Sequence, residues 1–178
     1  MLTVTEILKG CGLINVDEPW FTQEARDRGT AVHAATKLLD EDRLDESSLE
    51  DPIIIERVDG YRNWMQDRDV EILNREFEVK HEVYGYIGHP DIHAADDRGE
   101  MVIDIKPPGY VKWHGYQLAA YQRAISSPWK DGAGAPMRRY ILHLGKGLPR
   151  GYKFVPHVGA KDWNVFLAAF IVAQAKQK

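Results

Sequence analysis

Cysteine is nearly absent, because Cys11 is the one thiol in 178 residues. A single cysteine excludes an intrachain disulfide, a cysteine-rich zinc site and a four-cysteine iron–sulfur cluster held within the chain. Long apolar runs are also missing, since none approaches the roughly 20 residues that a membrane helix needs. The opening stretch MLTVTEILKGCG lacks the basic and apolar regions of a secretory signal. We therefore expect an intracellular, cytoplasmic protein that is not bound to a membrane.

The chain also lacks an excess of positive charge. Its formal net charge is −4, which argues against a protein that coats nucleic acid through bulk electrostatics. This balance still leaves room for a local basic groove. The 44% hydrophobic and 28% charged residues are typical of a globular chain, and no internal repeat is present. These features predict a single domain over residues 1 to 178.

The spacing of apolar residues predicts an α/β domain in which helices flank a central mixed β-sheet. A period of about 3.6 indicates helices at residues 22 to 40, from Asp51-Pro52 through Met65, at residues 113 to 125 and from near Asp162. The period changes toward two between Val70 and Lys106, where we predict three strands, and again at Met137 to Leu144 and Tyr152 to His157. In the first of these strands, Leu73, Phe77 and Val79 alternate with Asn74, Glu76 and Glu78; the second is predicted from Tyr84 to Ile92 and the third from Met101 to Lys106. Turn residues indicate loops at residues 96 to 99 and 131 to 136.

The predicted strand that ends in Ile103-Asp104-Ile105-Lys106 carries two charged residues where apolar ones are expected. Side chains two apart lie on one face of a strand, so Asp104 and Lys106 project together. A hairpin through residues 96 to 99 would bring Asp91 alongside Asp104. Two converging carboxylates repel each other unless a cation lies between them, and oxygen ligands of this kind suit Mg²⁺ or Mn²⁺. Lys106 could then orient or deprotonate a water, or neutralise charge on a phosphoryl oxygen.

A simpler interpretation of the same pair stays open. An Asp-x-Lys pair on a strand also occurs at a solvated sheet edge or as an ordinary cross-strand ion pair.

Several short motifs occur in an order that resembles the PD-(D/E)XK nuclease superfamily, and within it the RecB-like and phage exonuclease branch. They span roughly residues 25 to 125 and are Gly29-Thr30-Ala31-Val32-His33 on an early helix, Glu76 on a strand, Gly88-x-x-Asp91, Ile103-Asp104-Ile105-Lys106 and Gln117-Leu118-Ala119-Ala120-Tyr121 on the following helix. The resemblance implies a restriction-endonuclease-like core and a Mg²⁺- or Mn²⁺-dependent deoxyribonuclease, with exonuclease the preferred mode. It implies no iron–sulfur cluster, because the relatives that carry one use four cysteines.

The resemblance also assigns roles to particular residues. It makes Asp91 and Asp104 metal ligands, adds the Ile105 carbonyl and His33 as further ligands, and makes Lys106 the residue that positions or activates the attacking water. Gln117 and Tyr121, one helical turn apart, would line the site and support the lysine or contact the DNA backbone. Glu76 would act behind the ligands or toward a second metal. Gly29 would let its helix approach the sheet closely enough for His33 to reach the ion.

Each of these residues has an alternative interpretation. His33 falls on the polar arc of its helix, where an exposed histidine is expected. Glu76 could be the polar half of an alternating strand, with Glu78 and Glu82 as rivals for its role. Gln117 and Tyr121 could be a surface glutamine and a packed aromatic residue.

Residues 138 to 153 contain five basic and no acidic residues, which are Arg138, Arg139, Lys146, Arg150 and Lys153. With Arg26, which shares the polar arc of the first predicted helix with His33, they are candidates for DNA phosphate contacts. A solvated basic edge is the alternative. Five aromatic residues could either stack on DNA bases or fill the core, and the sequence does not decide between these roles. They are Tyr84, Tyr86, Tyr110, Trp113 and Tyr116.

The biological setting follows from the resemblance alone. It is that of a compact nuclease of phage, prophage or recombination-repair modules, with DNA as substrate, a single-strand annealing protein as partner and the host cytoplasm as location. Two other function classes stay open. One is a catalytically silent DNA-binding or assembly module with the same fold, and the other is a metal-dependent hydrolase of a substrate that is not a nucleic acid.

Overall fold

The computed structural model describes residues 1–15, 22–109, 111–126 and 137–177. Its helices are α1 (Val4–Gly10), α2 (Gln23–Asp40), α3 (Pro52–Asp67), α4 (Trp113–Ile125) and α5 (Asp162–Ala175). Its strands are β1 (Glu71–Arg75), β2 (Val79–Lys80), β3 (Ile87–Gly88), β4 (Ile92–Asp96), β5 (Gly99–Lys106), β6 (Arg138–Leu144) and β7 (Tyr152–Pro156). Short 3₁₀ turns lie at Glu46–Ser48 and Pro149–Gly151. Within these ranges, every helix is too short or too polar to cross a bilayer.

The main sheet has five strands in the order β1-β4-β5-β6-β7. The β5–β6 pair is parallel and the other neighbours are antiparallel, so the predicted mixed sheet is confirmed. Parallel neighbours need a crossover connection, and α4 lies within the one between β5 and β6. Strands β2 and β3 form a separate two-stranded ribbon. The central strand of the main sheet is therefore β5, which carries the Asp-x-Lys pair.

Two hydrophobic cores lie on the two faces of this sheet. Met101, Ile103 and Ile105 of β5 contribute to the core that also contains residues of α2 and α3, while Val102 contributes to the core formed with α1, α4 and α5. The residues divide in this way because successive side chains of a strand point to opposite faces of the sheet. Asp104, two residues after Val102, therefore lies on the face that α4 covers. Helices on both faces confirm the predicted α/β class.

Helix starts follow local sequence signals. Thr22 caps α2 by accepting a hydrogen bond from the Ala25 N–H, and Asp51 caps α3 ahead of Pro52. The predictions of these helices are confirmed. The sequence prediction had no helix at α1, although Thr3 and Glu6 form a capping box there.

The strand predictions between Val70 and Lys106 need two corrections. The first strand ends at Arg75, and Glu76 follows it with a left-handed backbone, φ 44°, so Glu76 is not a strand residue. The residues from 84 to 92 do not form one strand, because Ile87–Gly88 pairs with β2 and residues 89 to 91 separate this pair from Ile92. The partner of β5 is instead β4, which begins at Ile92. The predicted loop at 131 to 136 lies outside the described residues.

The expectation for Gly29 is wrong. A Cβ built at this position meets no atom within 4 Å, so the glycine does not permit a close approach of α2 to the sheet. His33 reaches its position by other contacts.

Candidate active site

The site lies where β4 begins and β5 ends. Ile92 pairs with Ile103 in the antiparallel register, so the next alternate pair would join Ile105 to Pro90. Proline has no N–H and cannot continue the ladder. The Asp91 carboxylate takes that place, and its Oδ2 accepts a hydrogen bond from the Ile105 N–H at 2.6 Å. Because the N–H and C=O of one strand residue point to the same side, the Ile105 carbonyl faces the same edge.

Asp104 and Lys106 form a buried pair at the end of β5. Asp104 is 1% exposed, and the Lys106 Nζ contacts its Oδ2. The same ammonium lies 5.7 Å from the centroid of the Trp113 ring. Because β5 is a central strand and Asp104 is buried, the interpretation as a solvated edge is excluded.

Helix α2 brings His33 to this edge of the sheet. The His33 Nδ1 lies 3.3 Å from the Asp91 Oδ1 and 3.8 Å from the Glu76 Oε1. Glu76 also lies near Lys37, with 3.9 Å between Oε2 and Nζ. The Glu76 backbone N–H donates to the Asp91 carbonyl at 2.9 Å. His33 is therefore not an isolated surface histidine, and Glu76 lies at the site although it is not on a strand.

Gln117 and Tyr121 close the site from α4. Both are buried, and the Gln117 Nε2 donates to the Tyr121 hydroxyl at 2.8 Å. The Gln117 Oε1 is buried without a hydrogen-bond partner in the described part of the chain. The Tyr121 ring packs so closely on Gly88 that a Cβ there would lie 2.7 Å from the ring atom Cδ1. The motif glycine is thus required by this contact.

A cavity of about 250 Å³ joins these side chains. Its lining includes Asp91, Asp104, Lys106, Gln117 and Tyr121. The structure therefore brings the two predicted carboxylates, the lysine and the α4 pair to the wall of one cavity. A larger cavity of about 540 Å³ lies among α2, α3 and β1, and none of the predicted site residues lines it.

The opposite wall of the smaller cavity was not predicted from the sequence. It is formed by Thr3, Val4 and Thr5 at the start of α1, together with Ile87 and His89. The Ile87 N–H donates to the Leu2 carbonyl at 3.0 Å, which fixes this segment along β3. The capping box in the sequence TVTE is the signal that could have identified the helix, although not its position.

The four ionisable side chains of the site shift one another's pKa values. Burial raises the pKa of Asp104, and the negative charge of Asp91 raises it further, to about 6. Burial also acts to raise the pKa of Asp91, but the charges of His33 and Lys106 outweigh this effect and the pKa is lowered. Burial acts to lower the pKa of His33 and of Lys106, yet the neighbouring carboxylates outweigh it and both values are raised. Asp104 is therefore the carboxylate that is harder to ionise.

The carboxylates of Asp91 and Asp104 and the imidazole of His33 suit a divalent cation, although in the structure they contact His33, Asp91 or Lys106 instead. Within the described ranges, no three His, Cys, Asp or Glu side chains are grouped to hold a metal ion. Two carboxylates and an imidazole are nevertheless ligands that Mg²⁺ or Mn²⁺ accepts. The 3.3 Å between His33 and Asp91 is close to the ~3 Å that separates ligand atoms at right angles around a cation with ~2.1 Å bonds. Burial and the charge of Asp91 disfavour the ionised form of Asp104, and a nearby cation would favour that form.

Two of the predicted DNA-binding arginines are held in internal contacts. Arg138 pairs with Asp96 and donates to the Gly99 carbonyl, so it fastens the β4–β5 turn. Arg139 lies 3.2 Å from Asp162 at the start of α5. The expectation of one continuous phosphate track through both arginines is not supported, because carboxylates already neutralise them.

The other predicted DNA-binding residues are exposed. The Arg150 Nε is 2.7 Å from the Asp67 Oδ2. Lys146 and Lys153 are exposed, and so is Arg26 near the start of α2. DNA binding by these residues stays a prediction.

The aromatic candidates divide between the core and the surface. Tyr86 is buried and donates to the Ala120 carbonyl at 2.8 Å, so it is a core residue that cannot stack on bases. Trp113 and Tyr116 pack partly against the same core. Tyr84 is partly exposed, and Tyr110 lies outside the described residues.

No protein-family model matches the chain, and no similar sequence was found among curated proteins. Among solved structures, the chain is similar to the crystal structure of an alkaline exonuclease (LHK-Exo) from Laribacter hongkongensis, with 9% identity, a TM-score of 0.50, and coverage of 98% of this chain and 86% of that chain. The complex of LHK-Exo with dAMP matches with 10% identity, a TM-score of 0.45 and the same coverage. The first similarity extends over nearly the whole chain and shows a shared fold.

Proposed function

We propose that this protein is a divalent-metal-dependent deoxyribonuclease that hydrolyses DNA phosphodiester bonds. The observation that carries the proposal is the buried Asp104–Lys106 pair beside the Asp91–His33 contact, at one cavity on the end of the sheet. The motif pattern that resembles PD-(D/E)XK nucleases supports it, since four motif residues from three separate segments meet in space. The fold shared with an alkaline exonuclease is consistent with the same activity.

Asp91, Asp104, the Ile105 carbonyl and His33 would hold Mg²⁺ or Mn²⁺. A cation bound there would polarise a phosphoryl oxygen and stabilise the leaving oxygen during in-line attack by water. No iron–sulfur cluster is part of the proposal.

Lys106 would act as a charged hydrogen-bond donor. Its pKa is raised by Asp104 and Asp91 against the opposing effect of burial, so the side chain is an ammonium in the free protein. An ammonium donates hydrogen bonds but cannot accept a proton. We therefore assign Lys106 to orient the attacking water and to offset charge that grows on the phosphoryl oxygen, rather than to deprotonate the water.

The remaining site residues would support this arrangement. The Tyr121 hydroxyl accepts from Gln117 and retains its own proton, which it can donate to a phosphate oxygen. Glu76 would orient His33 and Lys37 at the rim of the site.

We further propose exonuclease action within a phage, prophage or recombination-repair module, inside the cell and with a single-strand annealing protein as partner. This setting rests on the motif resemblance. Exposed Lys146 and Lys153, with Arg150 and Arg26, are the cations proposed to contact DNA phosphates.

The test is incubation with linear, nicked and single-stranded DNA, with Mg²⁺, with Mn²⁺ and with a chelator. We expect metal-dependent loss of linear DNA from its ends, and no cleavage by Asp104→Asn or Lys106→Ala. Asp97→Asn is the matched control, because Asp97 lies in the turn before the same strand and its side chain is 91% exposed. Thermal unfolding of each variant would show that the fold is kept. DNA binding without cleavage would instead indicate a silent module, and neither binding nor cleavage would indicate a different substrate.

A further inference from the structure

Arg75 and Glu76 are consecutive residues whose side chains both reach helix α2. Consecutive side chains in a strand point to opposite faces, and such a pair would not normally contact one helix. Here β1 ends at Arg75, and Glu76 has φ 44°, a left-handed conformation that is uncommon for residues with a Cβ. With the chain turned in this way, Arg75 contacts Thr36 while Glu76 lies beside His33.

The Arg75 guanidinium connects three elements in a buried position. Its Nη2 donates to the Thr36 Oγ1 at 2.9 Å, and its Nε lies 2.9 Å from the Asp40 Oδ2. Its charged carbon lies 5.5 Å from the centroid of the Tyr61 ring, and the Tyr61 hydroxyl donates to Asp40 at 2.8 Å. The Arg75 side chain is only 8% exposed. The end of β1 is thus fixed to both α2 and α3.

These contacts continue directly to the candidate active site. The Thr36 hydroxyl that accepts from Arg75 donates to the His33 carbonyl at 3.1 Å. On the other side, the Glu76 N–H donates to the Asp91 carbonyl at 2.9 Å, and Asp91 contacts the His33 ring at 3.3 Å. The contacts form a closed circuit from His33 through Thr36, Arg75, Glu76 and Asp91 back to His33. The circuit therefore links the turn of α2 that carries His33 to Asp91 and Glu76, the two residues whose carboxylates face the His33 ring.

We propose that Arg75 is a positioning residue that fixes His33 against Asp91 and thereby sets the affinity of the site for a divalent cation. This inference rests on the proposed function. A guanidinium suits the role because its charge is spread over a planar group, so that one nitrogen can donate to Thr36 while another lies beside the Asp40 carboxylate as an ion pair. A lysine carries the same charge on a single nitrogen and cannot maintain both contacts in this geometry.

The experiment measures the dissociation constant for Mn²⁺ in solution from the electron paramagnetic resonance signal of free Mn²⁺. Arg75→Lys keeps the charge, and Thr36→Val removes only the buried hydroxyl. We expect each to weaken Mn²⁺ binding about tenfold, the lower end of the effect known for residues that orient metal ligands. His33→Ala is the reference for loss of the ligand itself. Val58→Ala is the matched control, because it removes buried methyl groups from α3, which α2 packs against.

The outcomes separate this inference from the proposed function. If His33→Ala weakens Mn²⁺ binding while Arg75→Lys and Thr36→Val bind as the parent does, the positioning role is refuted and the metal site stands. If Val58→Ala weakens binding as much as Thr36→Val, the effect is general loosening and the inference is also refuted. If the parent protein binds no Mn²⁺, the proposed metal site fails and the inference fails with it. Should Arg75→Lys not fold, Thr36→Val alone decides the question.

Discussion

Replacing Gly88 with alanine tests whether the position of Tyr121 matters to the site. The added Cβ would lie 2.7 and 2.9 Å from two atoms of the Tyr121 ring and 3.1 Å from a methyl group of Val79. Carbon atoms in contact prefer about 3.5–4.0 Å, so the ring must move by about 0.8 Å or more. The ring is buried, and its hydroxyl is held by Gln117 at 2.8 Å. The movement therefore has to break or stretch that hydrogen bond.

The expected magnitudes differ for stability and for activity. Overpacking of a tight contact costs about 1–3 kcal/mol, so the domain should still fold. Displacement of a positioned group by about 1 Å can reduce catalysis by a factor of about 100. We expect Gly88→Ala to remain folded but to cleave DNA on the order of 100 times more slowly at saturating metal.

The assay is the rate of DNA hydrolysis, measured beside thermal unfolding. Gly29→Ala is the matched control, because a Cβ at this position meets nothing within 4 Å. Gly29 lies within α2, where alanine is more favourable than glycine by about 0.5–1 kcal/mol. This variant should cleave at the parental rate and be slightly more stable. Parental activity in a folded Gly88→Ala protein would refute the role assigned to Tyr121.

Three further predictions concern protons, metal and DNA. Mn²⁺ should raise the melting temperature at pH 7.5, and this increase should become smaller as the pH falls through about 6, because protons then compete with the cation for Asp104, whose pKa is about 6. An increase in melting temperature at pH 5 equal to that at pH 7.5, measured by scanning fluorimetry, would contradict this prediction. A metal titration of DNA cleavage should show that His33→Ala needs more Mn²⁺ and that excess Mn²⁺ restores part of its rate, whereas parental metal dependence would place His33 outside the site. Lys146→Ala combined with Lys153→Ala should reduce the salt dependence of DNA binding, measured by fluorescence anisotropy, and an unchanged salt slope would exclude these lysines from the interface. Arg138→Ala should mainly lower stability, because it removes the contacts that Arg138 makes with Asp96 and with the Gly99 carbonyl.

The parts of the site that the sequence predicted depend on local periodicity. Asp104 and Lys106 share a face because side chains alternate along any regular strand. Asp91 could be placed near them because a short hairpin brings the start of one strand beside the end of the next. His33 was different, since its position depends on how a helix packs at the end of the sheet. Only the resemblance to a known motif pattern indicated it.

The parts that the sequence did not predict depend on contacts between distant segments. The basic run that includes Arg138 and Arg139 contains no acidic residue, so the sequence indicates either phosphate contacts or a solvated basic edge and no internal partner. Their partners, Asp96 and Asp162, lie far away along the chain and meet them only in the folded protein. The left-handed backbone of Glu76 could not be predicted either, because alternation in its neighbourhood indicated a continuous strand.

A crystal structure of the protein soaked with Mn²⁺ tests the central claim most directly. Anomalous scattering would locate the cation independently of any assumption about the site. The proposal predicts one strong peak within bonding distance of Asp91 and Asp104, with His33 and the Ile105 carbonyl as neighbours, and loss of that peak in Asp104→Asn. A well-ordered crystal with no peak at the end of β5, or with Mn²⁺ bound only elsewhere, would contradict the account.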